Sequence, residues 1–246
     1  MVIPIYDNDP LDRNPYAFVN WTLIAISVAV FLVWLGASED IELVMLRDYS
    51  LIPAAVFGKV ELGSTWPPIV AAFTYMFLHA GWSHIIGNML FLWVLGDNIE
   101  DAFGSVRYLL FYLLCGAAGG IAHLVAHPDS VAPLVGASGA VSGVVAAYLM
   151  LRPCARITVL LFGFVPFSIG SAWVLGFWAL LQLWNVLSAS SGDTAWWAHV
   201  GGLVAGAGLT LVLRPPGMRL FACLRPGDAI VAKPALPGLK RRWGSR

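Results

Sequence analysis

Two polar side chains, Ser138 and His199, lie near the starts of separate apolar segments in the second half of the chain. A serine hydroxyl beside an imidazole can attack a peptide carbonyl, because the imidazole takes the hydroxyl proton and later gives it to the leaving amine. Ser138 lies 14 residues before Arg152, and His199 lies 15 residues before Arg214. If these basic residues mark the inner ends of two helices, the side chains lie about 21 and 22 Å from the same boundary. The spacing therefore predicts a Ser/His dyad at one depth.

Donors for a developing oxyanion are available at the same depth. His84 and Asn88 are four residues apart on another apolar segment, so a helix presents both on one face. The predicted donors are the His84 imidazole, the Asn88 amide and the backbone N–H of Ser138, which is early in its helix and lacks an intrahelical partner. No Asp or Glu lies at this depth in any predicted span. The sequence therefore predicts a dyad without an acidic third member.

Close contact between the helices that carry these residues is also predicted. Small residues allow two membrane helices to approach until side chains on different helices meet. The glycines expected to pack at the site are Gly136, Gly139, Gly143, Gly202 and Gly206.

Each candidate residue also has a structural interpretation. A serine in a Gly/Ala-rich membrane helix usually packs or bonds to its own backbone, and Asn88 alone is typical of interhelical hydrogen bonding. His79, His84 and His199 are an alternative metal-binding set, but no HExxH pair or neighbouring carboxylate supports it. We expect no metal and no cofactor. The remaining polar residues interpreted as structural are His79, His123, His127 and Ser142.

Composition indicates a membrane protein. Of the 246 residues, 59% are apolar and 11% are charged, and the mean hydropathy is +0.78, which leaves too little polar surface for a soluble domain. Apolar runs long enough to cross a bilayer recur with short polar breaks. The predicted fold is all-α, a bundle of six transmembrane helices at approximately 17–37, 83–100, 105–126, 133–151, 170–188 and 195–213.

The basic residues predict the orientation of this bundle. With the N-terminus inside, 12 of the 14 Lys and Arg are cytoplasmic, and only Arg47 and Lys59 fall outside. The predicted organisation is a cytoplasmic segment 1–16, a membrane domain 17–213 and a basic, Pro-rich cytoplasmic tail 214–246. The acidic start lacks the basic residues of a cleavable secretory signal. We expect a bacterial inner membrane as the location.

The three cysteines are odd in number and widely spaced, so the sequence offers neither a disulfide framework nor a metal cluster. Cys115, Cys154 and Cys223 are therefore predicted to be free thiols.

At these residues the chain resembles the rhomboid family of intramembrane serine proteases. The segment GASG at 136–139 matches the family's GxSG nucleophile motif, and AHVGGLVAG at 198–206 matches its AHxxGxxxG pattern around the base. HAGWSHIIGN at 79–88 resembles the family's histidine-rich stretch, whose second His and Asn assist the oxyanion. GDNIE at 96–100 resembles its GxxxE segment. The resemblance covers most of the membrane domain, from about residue 66 to 206.

The resemblance implies a Ser138–His199 protease that needs no cofactor and cuts single-pass membrane proteins near helix-destabilising residues. Partners are then substrate helices and membrane lipid, with no nucleic acid, while the oligomeric state stays open. Two departures are Pro67, where relatives often have Arg, and Ser142, where many have a Tyr that supports the imidazole. The alternatives are a non-catalytic rhomboid-like protein that binds membrane clients, and a small transporter or channel.

Overall fold

Helices dominate the computed structural model, which describes residues 2–11, 13–14, 16–161, 164–188 and 194–223. In chain order the helices are α1 (Phe18–Leu35), α2 (Glu39–Tyr49), α3 (Pro53–Val56), α4 (Pro68–Thr74) with a 3₁₀ turn (Tyr75–Phe77), α5 (Trp82–Phe91), a π-helical turn (Leu92–Gly96), α6 (Asp97–Phe103), α7 (Ser105–Ala126), α8 (Ser138–Leu151), α9 (Ser171–Leu187) and α10 (Trp196–Leu213).

Six helical regions occupy the predicted spans, although not all of them are long. By length and hydropathy α1, α7 and α10 can cross a membrane, and a fourth candidate is the pair Pro68–Phe77 and Trp82–Phe103, which is bent by 86°. The apolar helices α8 and α9 are shorter than a full span. The structure thus gives three or four candidate spans among the described residues. The fourth region was predicted to start at approximately 133, and α8 begins five residues later, at Ser138.

A small antiparallel sheet corrects the all-α prediction. Strand β1 (Val2–Asp7) pairs with β2 (Arg156–Leu161), which pairs with β3 (Val165–Gly170). The side chains of Ile157 and Val159 alternate inward and are fully buried, as expected for a sheet with one face on the core. The fold is therefore mostly helical with a three-stranded sheet at one end.

Asp7 ties this sheet to the helices. Its carboxylate Oδ2 accepts hydrogen bonds from Tyr148 Oη at 2.5 Å and from Asn98 Nδ2 at 2.8 Å. Burial raises the pKa of Asp7 to about 7, because a buried carboxylate loses its hydration. Strand β1, which lies in the segment 1–16 that was predicted only as a cytoplasmic extension, is thus anchored on α6 and α8.

Glu100 caps the start of α1. Its carboxylate accepts the backbone N–H groups of Val19 and Asn20, at 3.2 and 2.8 Å, and the Ser105 hydroxyl at 2.6 Å. The first N–H groups of a helix have no intrahelical acceptor, so the carboxylate satisfies donors that would otherwise stay unpaired. Glu100 therefore holds α1, α6 and α7 together.

Helix α1 also contacts the π-helical turn, through Asn20. Asn20 is fully buried, and its amide donates to Leu92 O at 2.9 Å while accepting from Tyr108 Oη at 2.8 Å. An added Cβ on Gly96 would come 2.2 Å from Asn20 Oδ1. Gly96 is consequently required for the close approach of α1 to the Trp82–Phe103 helix.

The cysteines depart from the sequence prediction. Cys154 and Cys223 form a disulfide, so the prediction of three free thiols is wrong, whereas Cys115 is free and buried. The disulfide joins the segment after α8 to the segment after α10. These partners are 69 residues apart in the chain, a separation from which no local sequence pattern reveals the pairing. Most of the predicted basic tail, residues 224–246, lies outside the described residues.

Helix α8 is the centre of the bundle. Twelve of its 14 residues are buried, mainly against α7 and α10. At about 1.5 Å per residue α8 is roughly 21 Å long. Its first residue is Ser138, and its last turn is followed by Arg152, whose guanidinium pairs with Asp9 at 2.6 Å. Ser138 therefore lies at the end of α8 opposite to the sheet.

Candidate active site

Helices α8 and α10 touch along a seam of glycines. An added Cβ on Gly202 would lie 1.9 Å from Gly139 O, and one on Gly206 would lie 2.5 Å from Gly143 Cα. On α7, an added Cβ at Gly119 would lie 2.7 Å from Ala198 O. The backbones are thus in direct contact, as small residues permit. The four predicted packing glycines on these two helices all lie in this seam.

The seam positions the two candidate catalytic residues at the same end of the two helices. Ser138 directly precedes Gly139 in α8, and His199 lies one helical turn before Gly202 in α10. Because Gly139 touches Gly202, and Gly143 touches Gly206 one turn further, the helices run parallel. Ser138 is half-buried and His199 is 8% exposed.

The turn before Ser138 is fixed by backbone hydrogen bonds. Gly136 has a φ of +114°, a conformation that favours glycine, and its N–H donates to Tyr75 O at 2.9 Å. Two residues upstream, Leu134 exchanges two backbone hydrogen bonds with Leu51 of the first loop, at 2.9 and 3.1 Å. The loop between α2 and α3 therefore supports the start of α8.

His84 lies against this turn. A Cβ added to Gly136 would come 2.4 Å from His84 Nε2, so the predicted packing role of Gly136 is to make room for the imidazole. Asn88, on the same face of α5 and 6% exposed, donates from Nδ2 to His84 O at 3.0 Å. His79 is fully buried, and its ring packs edge-on against the His84 ring at 5.2 Å. The structure thus brings His84 to the turn before Ser138, and Asn88 lies one helical turn further along α5.

Aromatic side chains enclose the His199 imidazole. Trp178 of α9 stacks on it, with ring centroids 6.0 Å apart and an interplanar angle of 30°, and Trp196 meets it edge-on at 5.8 Å. Ser142, where relatives often have a Tyr, instead donates its hydroxyl to Ser138 O at 2.6 Å. Aromatic contact to the imidazole therefore comes from α9 and from the start of α10.

Sequence reasoning missed Gln182. Its Oε1 lies 2.7 Å from His199 Nδ1, and its side chain is 4% exposed. A glutamine in the middle of an apolar span is a detectable signal, because polar groups at that depth are expensive unless they bond to a partner. The identity of the partner, 17 residues away on another helix, is not visible in a local pattern.

The other histidines lie apart from this arrangement. His123 and His127 pack against each other, with ring centroids 4.9 Å apart, near the end of α7. Within the described part of the chain, no group of three or more His, Cys, Asp or Glu side chains is arranged to hold a metal ion. The geometry of the site therefore offers serine and imidazole chemistry.

Comparison with known proteins supplies the family. The model of the Rhomboid domain matches residues 67–216, which include the glycine seam, the Ser138 turn and the His84 segment. The chain belongs to the rhomboid family.

Three curated relatives describe the range of this similarity. The chain is 27% identical to RHOMBOID-like protein 6, mitochondrial, of Arabidopsis thaliana over 83% of this chain and 72% of the relative. It is 34% identical to Rhomboid protease GluP of Bacillus subtilis over 54% of this chain and 24% of the relative. It is 29% identical to the human Presenilin-associated rhomboid-like protein, mitochondrial, over 75% of this chain and 45% of the relative.

This rhomboid protein spans only part of several relatives, half or less of the length of GluP and of the human protein. Mitochondrial proteins of a plant and a human are among the relatives. The expected location in a bacterial inner membrane therefore has no support from the similarity, whereas the apolar helices make this a membrane protein.

Proposed function

We propose that this rhomboid is an intramembrane serine endopeptidase in which Ser138 is the nucleophile and His199 the general base. The observation that carries the proposal is the glycine contact between α8 and α10, which puts the two residues at the same end of parallel, touching helices. The family includes proteins named as proteases, GluP among them. No cofactor takes part in the proposed chemistry.

The proposed reaction begins when His199 Nε2 takes the Ser138 Oγ proton as Oγ attacks a peptide carbonyl carbon. The tetrahedral oxyanion is stabilised by the Ser138 backbone N–H, the His84 imidazole and the Asn88 amide. His199 then protonates the amine as the C–N bond breaks, and water hydrolyses the acyl-enzyme by the reverse sequence of proton transfers.

Three features support this assignment of the oxyanion donors. The Ser138 N–H is at the first position of α8, where an N–H has no intrahelical acceptor. His84 Nε2 faces the Gly136 turn that leads into Ser138. The Asn88 amide lies one turn along α5 from His84 and is held by His84 O. These three observations support the proposal that the donors act near the start of α8.

The proposed substrates are single-pass membrane proteins, cut in the outer part of the bilayer. We propose six spans, formed by α1, the Trp82–Phe103 helix, α7, α8, α9 and α10, with both ends of the membrane domain on the sheet side. Because α8 is roughly 21 Å long, Ser138 at its far end lies below the surface of a hydrocarbon layer about 30 Å thick.

The deciding experiment uses detergent-solubilised protein with a single-pass substrate and an active-site-directed fluorophosphonate. We expect the wild type to cleave the substrate and to be labelled, whereas Ser138→Ala and His199→Ala do neither. Ser142→Ala is the matched control, because Ser142 lies one turn along the same helix and, among the described residues, its hydroxyl bonds only to Ser138 O. Equal cleavage by Ser138→Ala and wild type contradicts the mechanism. Folded protein that neither cleaves nor is labelled favours the non-catalytic, client-binding alternative.

A further inference from the structure

Gln182 is the one polar side chain of α9 that contacts the His199 imidazole in the described structure. Both its amide groups are bonded: Oε1 lies 2.7 Å from His199 Nδ1, and Nε2 donates to Trp178 O at 2.9 Å. The second bond fixes the orientation of the amide, because Nε2 has donors only and must face a carbonyl. The carbonyl oxygen of the amide is therefore the atom that faces the imidazole.

This orientation determines which imidazole nitrogen carries hydrogen. A carbonyl oxygen only accepts hydrogen bonds, so a 2.7 Å contact with Nδ1 requires the hydrogen on Nδ1. In a neutral imidazole the other nitrogen, Nε2, then carries the lone pair. Since Gln182 is 4% exposed, breaking the contact would leave a buried carbonyl and a buried N–H unpaired.

We propose that Gln182 is the positioning residue of the catalytic base, holding His199 as the Nδ1–H tautomer with Nε2 available to accept the serine proton. The proposal rests on the proposed function, in which His199 is that base. Gln182 takes the place in the site that an acidic residue holds in a Ser/His/Asp triad, with a neutral acceptor in a region of low polarity. Trp178 contributes twice, since its ring stacks on the imidazole and its carbonyl holds the amide.

The chain provides a matched control on the same helix. Asn185 also donates its side-chain amide to the carbonyl four residues earlier, Leu181 O, at 2.7 Å, but in the described structure it has no hydrogen bond to His199 and is partly exposed. Gln182→Leu and Asn185→Leu therefore remove the same kind of local bond, and only the first removes the imidazole contact. Gln182→Glu keeps an acceptor oxygen at the same reach.

The test combines two measurements on detergent-solubilised, full-length protein. Magnetic resonance of isotope-labelled histidine ring nitrogens, with His199→Ala to assign the signal, reports the tautomer directly and needs no activity. We expect Nδ1–H in the wild type and in Asn185→Leu, its loss in Gln182→Leu, and its return in Gln182→Glu. In the cleavage assay, Gln182→Leu should lower kcat about 10-fold, as expected for the loss of one buried hydrogen bond, with little change in KM.

The outcomes separate this proposal from the proposed function. An Nε2–H tautomer of His199 in the wild type overturns the role of Gln182, and this result does not depend on whether any variant folds. An unchanged tautomer, or an unchanged kcat, in folded Gln182→Leu overturns it too. If the tautomer follows Gln182 as expected but no variant, wild type included, cleaves or takes the fluorophosphonate, the protease proposal fails while the control of the tautomer by Gln182 stands.

Discussion

Replacing Gly202 by alanine tests whether the α8–α10 seam positions the candidate active site. The added Cβ would lie 1.9 Å from Gly139 O. An ordinary C···O contact is about 3.3 Å, so the two helices must separate by roughly 1.4 Å at this point. Gly139 O is a backbone atom and the added group is a single methyl group, so no side-chain rotation relieves the overlap. Gly202 lies one turn from His199, and the separation therefore reaches the imidazole.

The displacement translates into an expected loss of activity. A misplacement of about 1 Å between reacting groups costs on the order of 10²-fold in rate, so Gly202→Ala should lower kcat by at least that factor. Overpacking of a buried contact also costs about 1–3 kcal/mol, which should lower the melting temperature of the solubilised protein. The assays are cleavage of a single-pass substrate and thermal unfolding.

Gly208 provides the control within the same helix. An added Cβ on Gly208 meets nothing within 4 Å, so Gly208→Ala changes the same residue type without overlap. Alanine in a helix interior is favoured over glycine by about 1 kcal/mol, so this variant should be as active and at least as stable as the wild type. Refutation is simple: if Gly202→Ala matches Gly208→Ala in both assays, the seam does not position the site.

Three further predictions concern the oxyanion donors, the buried carboxyl and the disulfide. His84→Ala and Asn88→Ala should each lower kcat by roughly 10²-fold with folding intact, as expected for a lost oxyanion donor, and unchanged kcat in both assigns them to packing. Burial raises the pKa of Asp7 from 3.8 to about 7, so the folded state keeps a proton that the unfolded chain releases. The stabilisation from this proton is complete below about pH 4 and declines as the pH rises towards 7. The melting temperature of Asp7→Asn should therefore lack this decline. Parallel curves of melting temperature against pH for the two proteins contradict the argument. Thiol labelling of oxidised protein, denatured without reductant, should modify one cysteine per chain, and all three after reduction; three before reduction excludes the Cys154–Cys223 bond.

Much of the candidate site was predictable from the sequence, because polar residues within apolar segments are easy to detect and their distance from the basic residues at the helix ends gives their depth. The positions of Ser138 and His199, measured from basic residues at the helix ends, predicted that they lie level, and the structure has both at the starts of parallel helices. The helix at 105–126 matches its predicted bounds. Apolar periodicity and glycine spacing are local signals, and such signals locate helices and their close contacts.

The features that were missed depend on residues far apart in the chain. Strands β1 and β2 pair across about 150 residues, and each is a six-residue, mainly apolar segment that periodicity alone cannot distinguish from a short piece of a buried helix. The Gln182–His199 bond depends on the rotation of α9 about its own axis, which packing against α10 decides. Ser142 stands where relatives often have a Tyr that supports the imidazole. In this chain the stacking contact with the imidazole comes instead from Trp178, on another helix.

The small sheet restricts how often the chain can traverse the bilayer. Hydrogen-bonded strands with open edges are not tolerated in hydrocarbon, so β1 and β2 lie in the same layer on one side of the membrane. The chain must therefore traverse the bilayer an even number of times between residues 7 and 156. In the six-span arrangement proposed above, α1, the Trp82–Phe103 helix, α7 and α8 make four traversals in that interval, which is an even number.

The same parity applies to the rest of the chain through the disulfide. Cys154 and Cys223 are covalently joined, so the segment between them must also return to the side from which it started. In the proposed arrangement α9 and α10 make two traversals between these cysteines, again an even number. The proposed six spans, in which the shorter apolar helices α8 and α9 also cross, meet both conditions, because each half of the chain then begins and ends on one side of the membrane.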